Sequence, residues 1–261
     1  MRLRPSLFAL VVLSCIFGMP ASAQQASTVV TQNSQAISVL QQSLKTMGGA
    51  VPFDSVATGS IEIVAGSQTT QGTVRVLTKG TAQSLVQIET PNITETCIYS
   101  SGQANELSGA TVAVLPLELV VTSQAADFPM ALFAALLNDP DTSFQYVALE
   151  SSNGLSLHHI QTWDSFASQP TVQDLATFSM RDIWIDASSG LPQRISYVRR
   201  SAHGAVAGVT TDVFYSNYQN WSGVLYPSTI QKSLNGTPWA TITIASVSLN
   251  SGLTDANFPI Q

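Results

Sequence analysis

Three features of the 261 residues predict a mainly β fold with a few helices, its strands antiparallel. From Val56 onward apolar and polar residues alternate over most of the chain, the pattern of strands with one buried and one wet face. Gly, Asn and Ser clusters interrupt that alternation at short intervals. Only two stretches, 33–47 and 128–137, carry helical spacing instead.

The N-terminus reads as an export signal. Met1-Arg2-Leu3-Arg4 is basic, an apolar run follows from Leu7 to Phe17, and Ala21-Ser22-Ala23 has the small-x-small form of a cleavage site. The run is shorter than the ~20 residues a spanning helix needs. Residues 1–23 are therefore expected to be removed, leaving a protein in the periplasm or outside the cell and not integral to a membrane. A competing reading ends the signal at Cys15 with a lipid attached there, but Ile16-Phe17 carry the apolar run past that cysteine. Residues 24–32 are polar and expected to be a disordered tail, and 33–261 to form one domain.

Within 33–47, Ile37, Leu40, Leu44 and Met47 recur at steps of three and four and form one apolar stripe. Asn33 or Ser34 can cap the start, and Gly48-Gly49 supplies the left-handed stop. The strands that follow are marked by Ile61 and Ile63, Val74 and Val76, Val86 and Ile88, then Ile93, Cys97 and Tyr99. The type of 115–121, all but one of whose residues are apolar, stays undecided. Asp127-Phe128-Pro129 opens the second helix, with Asp as cap and Pro in the first turn. Nearly every position to Leu137 is apolar, so cover is required on two sides.

Strands are expected again at 144–150 and 155–163, joined by Ser152-Asn153-Gly154, with 164–176 as a loop. Further strands are expected at 178–186, 191–199, 208–218, 226–234 and 237–249. Asn235-Gly236 is a tight-hairpin signal, because both residues tolerate positive φ. In the last strand Ile242 and Ile244 share a face while Val247 and Leu249 take the other, so a bulge is expected near Ala245-Ser246. No internal repeat and no domain linker is visible.

The chemistry is sparse. Charged residues make up 10% of the chain, against about 25% in an average soluble protein. Ten basic residues face sixteen acidic ones, a balance that disfavours nucleic-acid binding. With Cys15 in the leader, Cys97 is left without an intramolecular partner; it reads as a small buried hydrophobe or, alternatively, a nucleophile. His158 and His159 are adjacent on a strand, so they point to opposite faces and cannot share a metal. His159 is expected inside a core or cavity, His158 in solvent, and His203 in a Gly/Ala-rich loop. Asp182 and Asp186 share a strand parity, which allows a carboxylate pair facing water; the plainer reading is a polar strand face and a turn residue. No hydrolase elbow, zinc-protease helix or phosphate-binding glycine loop is present.

The C-terminal third carries an ordered set of signals. Asp182-Ile183-Trp184-Ile185-Asp186 precedes Gly190-Leu191-Pro192-Gln193-Arg194-Ile195. Tyr215-Ser216-Asn217-Tyr218 follows, then Gly223-Val224-Leu225-Tyr226-Pro227, then Val247-Ser248-Leu249-Asn250 with Asp255, Phe258 and Pro259. This order resembles the periplasmic lipoprotein-carrier superfamily, the lipoprotein localisation factors and outer-membrane lipoprotein-sorting proteins. The resemblance implies a curved antiparallel sheet, an unclosed half-barrel, with helices covering its concave face and a cavity for acyl chains. It implies no catalysis and no cofactor. The chain departs from the carriers in its greater length, in residues 100–176, and in lacking an arginine that aligns with theirs.

The expectation is thus an exported binding protein for lipid acyl chains or a lipoprotein. Phe128, Leu132, Phe133, Leu136 and Trp184 are the expected pocket lining, and no metal is expected. Alternatives are an envelope module of the same fold that binds another protein, and a secreted hydrolase without a recognisable motif.

Overall fold

The computed structural model describes residues 29–121, 126–199 and 208–260. Thirteen strands join in one sheet: β1 (Asp54–Ala65), β2 (Gln68–Lys79), β3 (Gln83–Glu89), β4 (Thr94–Ser100), β5 (Gln103–Ser108), β6 (Thr111–Val114), β7 (Thr142–Ser152), β8 (Leu155–Asp164), β9 (Arg181–Asp186), β10 (Pro192–Arg199), β11 (Val209–Trp221), β12 (Val224–Leu234) and β13 (Thr237–Leu249). Among the described residues three α-helices accompany them: α1 (Ser34–Met47), α2 (Leu117–Val120) and α3 (Pro129–Asn138).

The strand order is β6-β5-β4-β3-β2-β1-β13-β12-β11-β10-β9-β8-β7, and neighbouring strands are antiparallel. The first and last strands meet at the centre, and β6 and β7 are the two edge strands. The chain passes from one edge to the other between Val114 and Thr142, and this crossover carries α2 and α3. The sheet is strongly curved. β4 and β10 lie seven strand spacings apart, roughly 34 Å on a flat sheet. Yet Cys97 of β4 and Tyr197 of β10 line one cavity of about 240 Å³. The half-barrel wraps around α1 and α3, which pack on each other and into the main core with Ile61, Val76, Ile160, Ile183, Ile195, Val213, Ile230 and Ile242.

Local chemistry explains the element ends. Asn33 caps α1 through its side chain, which accepts from the Ala36 N–H at 3.0 Å, and Gly48 at φ +137 stops it. The buried stripe is Ala36, Leu40, Ser43 and Met47, rotated one position from the expected one, so Ile37 and Leu44 sit on its flank. Asn235 and Gly236 take φ 49 and 76 in the β12–β13 hairpin. The bulge falls where the phase slip required it. Thr58 pairs with Ser246 and Gly59 with Ile244, leaving Ala245 as the extra residue.

Several expectations are corrected. Asp127 does not cap α3; Phe128 occupies that position without a side-chain cap, and the Asp127 carboxylate pairs instead with Lys232 at 2.6 Å. The stretch 164–176 is not a plain loop, since Pro170–Phe178 forms 3-10 turns. The undecided 115–121 holds α2. Thr31 and Gln32, within the expected disordered tail, pair with β7: Phe144 N–H donates to Thr31 O at 2.7 Å, and Gln32 Nε2 to Thr142 O at 2.9 Å. The expected leader with Cys15, and His203, lie outside the described residues.

One element went unforeseen. After β13 the chain crosses the convex face, where Phe258 packs on Leu77, Leu85 and Ile98. The buried Asp54 carboxylate fixes this strap by accepting the backbone N–H groups of Ser251, Gly252 and Leu253 at 2.5, 2.8 and 2.9 Å. Among the described residues no helix is long and apolar enough to cross a membrane.

Candidate functional site

The concave cavity is built by alternation. Val76 on β2, Val86 and Ile88 on β3, and Cys97 and Tyr99 on β4 all point inward at every second position. From the other half of the sheet come Tyr197 on β10, Thr211 on β11 and Lys232 and Leu234 on β12. Lys232 pairs with Ala240 and Ser233 with Pro238, so Trp239 is the extra residue of a second bulge, and it too lines the cavity.

The segment leading into α3 closes one wall. Tyr215 Oη donates to Ala126 O at 2.5 Å and Tyr226 Oη to Asp127 O at 2.9 Å. The Phe128 ring stacks on Tyr226 with centroids 5.0 Å apart and planes 21° from parallel. Burial drives both phenols upward in pKa, so they remain donors. Three anchors thus fix Phe128 against the cavity.

The wall is not uniformly apolar. The Asp127–Lys232 pair lies in it with 11% and 16% of the two side chains exposed. Burial pulls the Lys232 pKa down, but the adjacent carboxylate outweighs it, and the ammonium is held above its ordinary value. Cys97 is a free, partly buried thiol whose pKa is raised by burial and by Glu106, which favours the protonated, unreactive form. Its nucleophile reading gains no support.

Of the five expected lining residues, Phe128 alone borders this cavity. Leu132 and Phe133 are 1% and 0% exposed within the main core, so α3 is a core helix along most of its length. Leu136 is buried there too and borders a space of about 60 Å³ next to Arg181. Trp184 stands on the convex face: it pairs across strands with His159 and Arg194, while its neighbour Ile183 faces the core.

His159 shares that convex face, contrary to expectation, with Nδ1 on Glu150 Oε1 at 2.7 Å and Nε2 on Asp182 Oδ1 at 2.8 Å. Both ring nitrogens are spent on carboxylates, so neither is left to activate a nucleophile. His158 is half-buried rather than solvated, its Nδ1 2.9 Å from Tyr146 Oη. Asp186 is a turn residue, accepting from the backbone N–H groups of Ser188 and Ser189 and from both hydroxyls, and it does not face water with Asp182. Among the described residues no group of His, Cys, Asp and Glu gathers as a metal site.

Sequence reasoning missed Asp127, Lys232, Thr211 and Tyr197 as lining. One signal was available: Ile230, Lys232 and Leu234 share a strand face, which puts a lysine in an apolar row.

No protein-family model matches this sequence, and no curated protein matches it. Solved structures do. A LolA superfamily protein from Nitrosomonas europaea superposes with a TM-score of 0.56 at 18% identity, covering 89% of this chain and 99% of that one. An outer membrane lipoprotein-sorting protein domain from Vibrio parahaemolyticus gives 0.58 at 12%, covering 86% and 96%. A DUF1329 family protein from Desulfovibrio piger gives 0.54 at 12%, covering 86% and 97%. The chain shares the fold of these proteins, the fold that its C-terminal motifs resemble.

Proposed function

We propose that this chain is an exported, non-catalytic binding protein that shelters an apolar ligand, lipid acyl chains or those of a lipoprotein, in its concave cavity. The observation that carries the reading is the apolar part of the cavity wall, where Val76, Val86, Ile88, Phe128, Leu234 and Trp239 border a space of about 240 Å³. That volume is below the ~300–1,000 Å³ of drug-sized ligand sites and fits part of one extended chain. Each methylene buried contributes about 0.8 kcal/mol. The similarity to a lipoprotein-sorting domain adds support at the level of the fold. The test is uptake of a fluorescent fatty-acyl probe by the purified protein. Val86→Arg should abolish uptake with little change in melting, because Val86 is only half-buried at the cavity wall. A wild type that takes up no probe overturns the reading.

A second reading is an envelope module that binds another protein through a sheet edge. It is favoured by exposed apolar residues on both edge strands: Val112 and Val114 on β6, Val147 and Leu149 on β7. Charges introduced at Val114 and Leu149 should then abolish partner capture while leaving probe uptake intact.

A further inference from the structure

The Asp127–Lys232 pair in the cavity wall is a costly feature for a site that holds hydrocarbon alone. Resting on the binding function just proposed, we infer that the cavity selects a lipid with an uncharged oxygen-bearing group, an ester or hydroxyl as in an acylglycerol, over a free fatty acid.

Two observations lead there. The first is unspent donors. An ammonium carries three N–H groups, and Asp127 is the one ion-pair partner that Lys232 has among the described residues. Thr211 stands beside it. Val213 pairs with Lys232 and Thr211 with Leu234, so Thr211 and Lys232 are diagonal neighbours on one face. The Thr211 side chain is buried and lines the cavity, and its Oγ1 has no partner among the described residues. Directly across from Thr211 stands Tyr197, whose phenol burial keeps protonated. The polar patch is rich in donors and calls for an acceptor.

The second observation is charge. Among the described residues the lining sets Asp127, Glu95 and Glu106 against Lys232 and Arg199, and Lys232 is already neutralised. A carboxylate at the patch would be buried without a counter-charge of its own. An amine would meet Lys232. A carbonyl or hydroxyl oxygen accepts from the patch at neither cost.

The experiment is displacement of the neutral dye N-phenyl-1-naphthylamine at pH 8 by oleate, by 1-monooleoylglycerol and by a diacylglyceryl-cysteine lipopeptide. Monooleoylglycerol should compete at roughly tenfold lower concentration than oleate, given the cost of an uncompensated buried charge. Thr211→Val should narrow that preference by about two- to tenfold, the worth of one neutral hydrogen bond. The same variant should melt no lower than wild type, since it removes a buried oxygen without a partner. Replacing the pair as a unit, Asp127→Leu with Lys232→Met, should abolish the preference while retaining dye binding. Stronger competition by the lipopeptide than by the glyceride upholds the inference and assigns the group to a lipoprotein; the reverse order upholds it for a free glyceride. Oleate competing as well as the glyceride, or a preference untouched in both variants, overturns the inference and leaves the binding function standing. Failure of dye and all three competitors to bind overturns both.

Discussion

The imidazole of His159 lies on the indole of Trp184, ring centroids 4.4 Å apart and planes 18° from parallel. On the other side of Trp184 the Arg194 guanidinium carbon sits 4.2 Å from a ring centroid, and 5.5 Å from that of Phe214. His159, Trp184, Arg194 and Phe214 are successive cross-strand partners on β8 to β11, so one stacked row ties four strands together on the convex face. Carboxylates pin it: Trp184 Nε1 donates to Glu150 Oε2 at 2.9 Å, and Arg194 Nε to Asp212 Oδ1 at 2.9 Å.

This row makes stability depend on pH. Burial lowers the His159 pKa, but the hydrogen bonds its ring donates to Asp182 and Glu150, and the charges of those carboxylates, outweigh it, and the net shift is upward from 6.5. A pKa raised on folding stabilises fully below the unfolded value, and that contribution is lost as pH rises through the folded value. Glu150 goes the other way: the Trp184 hydrogen bond leads in lowering it from 4.5, so its contribution is lost as pH falls through the folded value. Melting temperature should therefore peak between the two and decline as pH rises past the unfolded histidine value of about 6.5 and through the folded one. His159→Gln should flatten the alkaline decline; an unchanged slope in that variant would remove His159 as its source.

Lys232 and Asp127 offer a second test. Lys232→Ala strands a carboxylate in the wall and should cost about 3 kcal/mol, the low end for a broken buried pair because some cavity exposure remains. Denaturant unfolding measures it; a loss under ~1 kcal/mol would mean that the cavity is wet enough to solvate Asp127 unaided.

The convex strap supplies a third. Asp54→Ala removes the acceptor of three backbone N–H groups and should destabilise by about 2–3 kcal/mol. Hydrogen exchange at Ser251, Gly252 and Leu253 should rise more than at β12, because the strap is released before the sheet opens. Uniform acceleration over the whole chain would refute a local latch.

These features differ in how far the sequence discloses them. The β12–β13 hairpin and the Ala245 bulge were legible because turn chemistry and parity are local. The facing of Trp184 was legible too, yet its apolar character led to the wrong face: it shares the strand parity of Asp182 and Asp186, while Ile183 and Ile185 take the core side. The Asp127–Lys232 pair joins a crossover segment to a strand far along the chain, and only the curvature of the sheet brings them together. The strap over Leu77, Leu85 and Ile98 was hidden for a similar reason: those residues alternate with the concave row, and nothing local says that the outer face is also covered.

The division of labour along α3 gives the last prediction. Phe128 faces the cavity at the helix entrance, while Leu132 and Phe133 lie in the core beyond it. Leu132→Ala should then cost about 2–5 kcal/mol, as for any large-to-small change in a packed core. It should leave acyl-probe affinity within about twofold in the folded fraction, because the cavity wall is untouched. Ile88→Ala should do the opposite. Ile88 is half-buried on the cavity wall, so its truncation removes less packing but more contact with a bound chain. Melting and probe titration on the two variants separate the roles. Probe affinity falling with Leu132→Ala at unchanged melting would move the cavity deeper along α3 than Phe128.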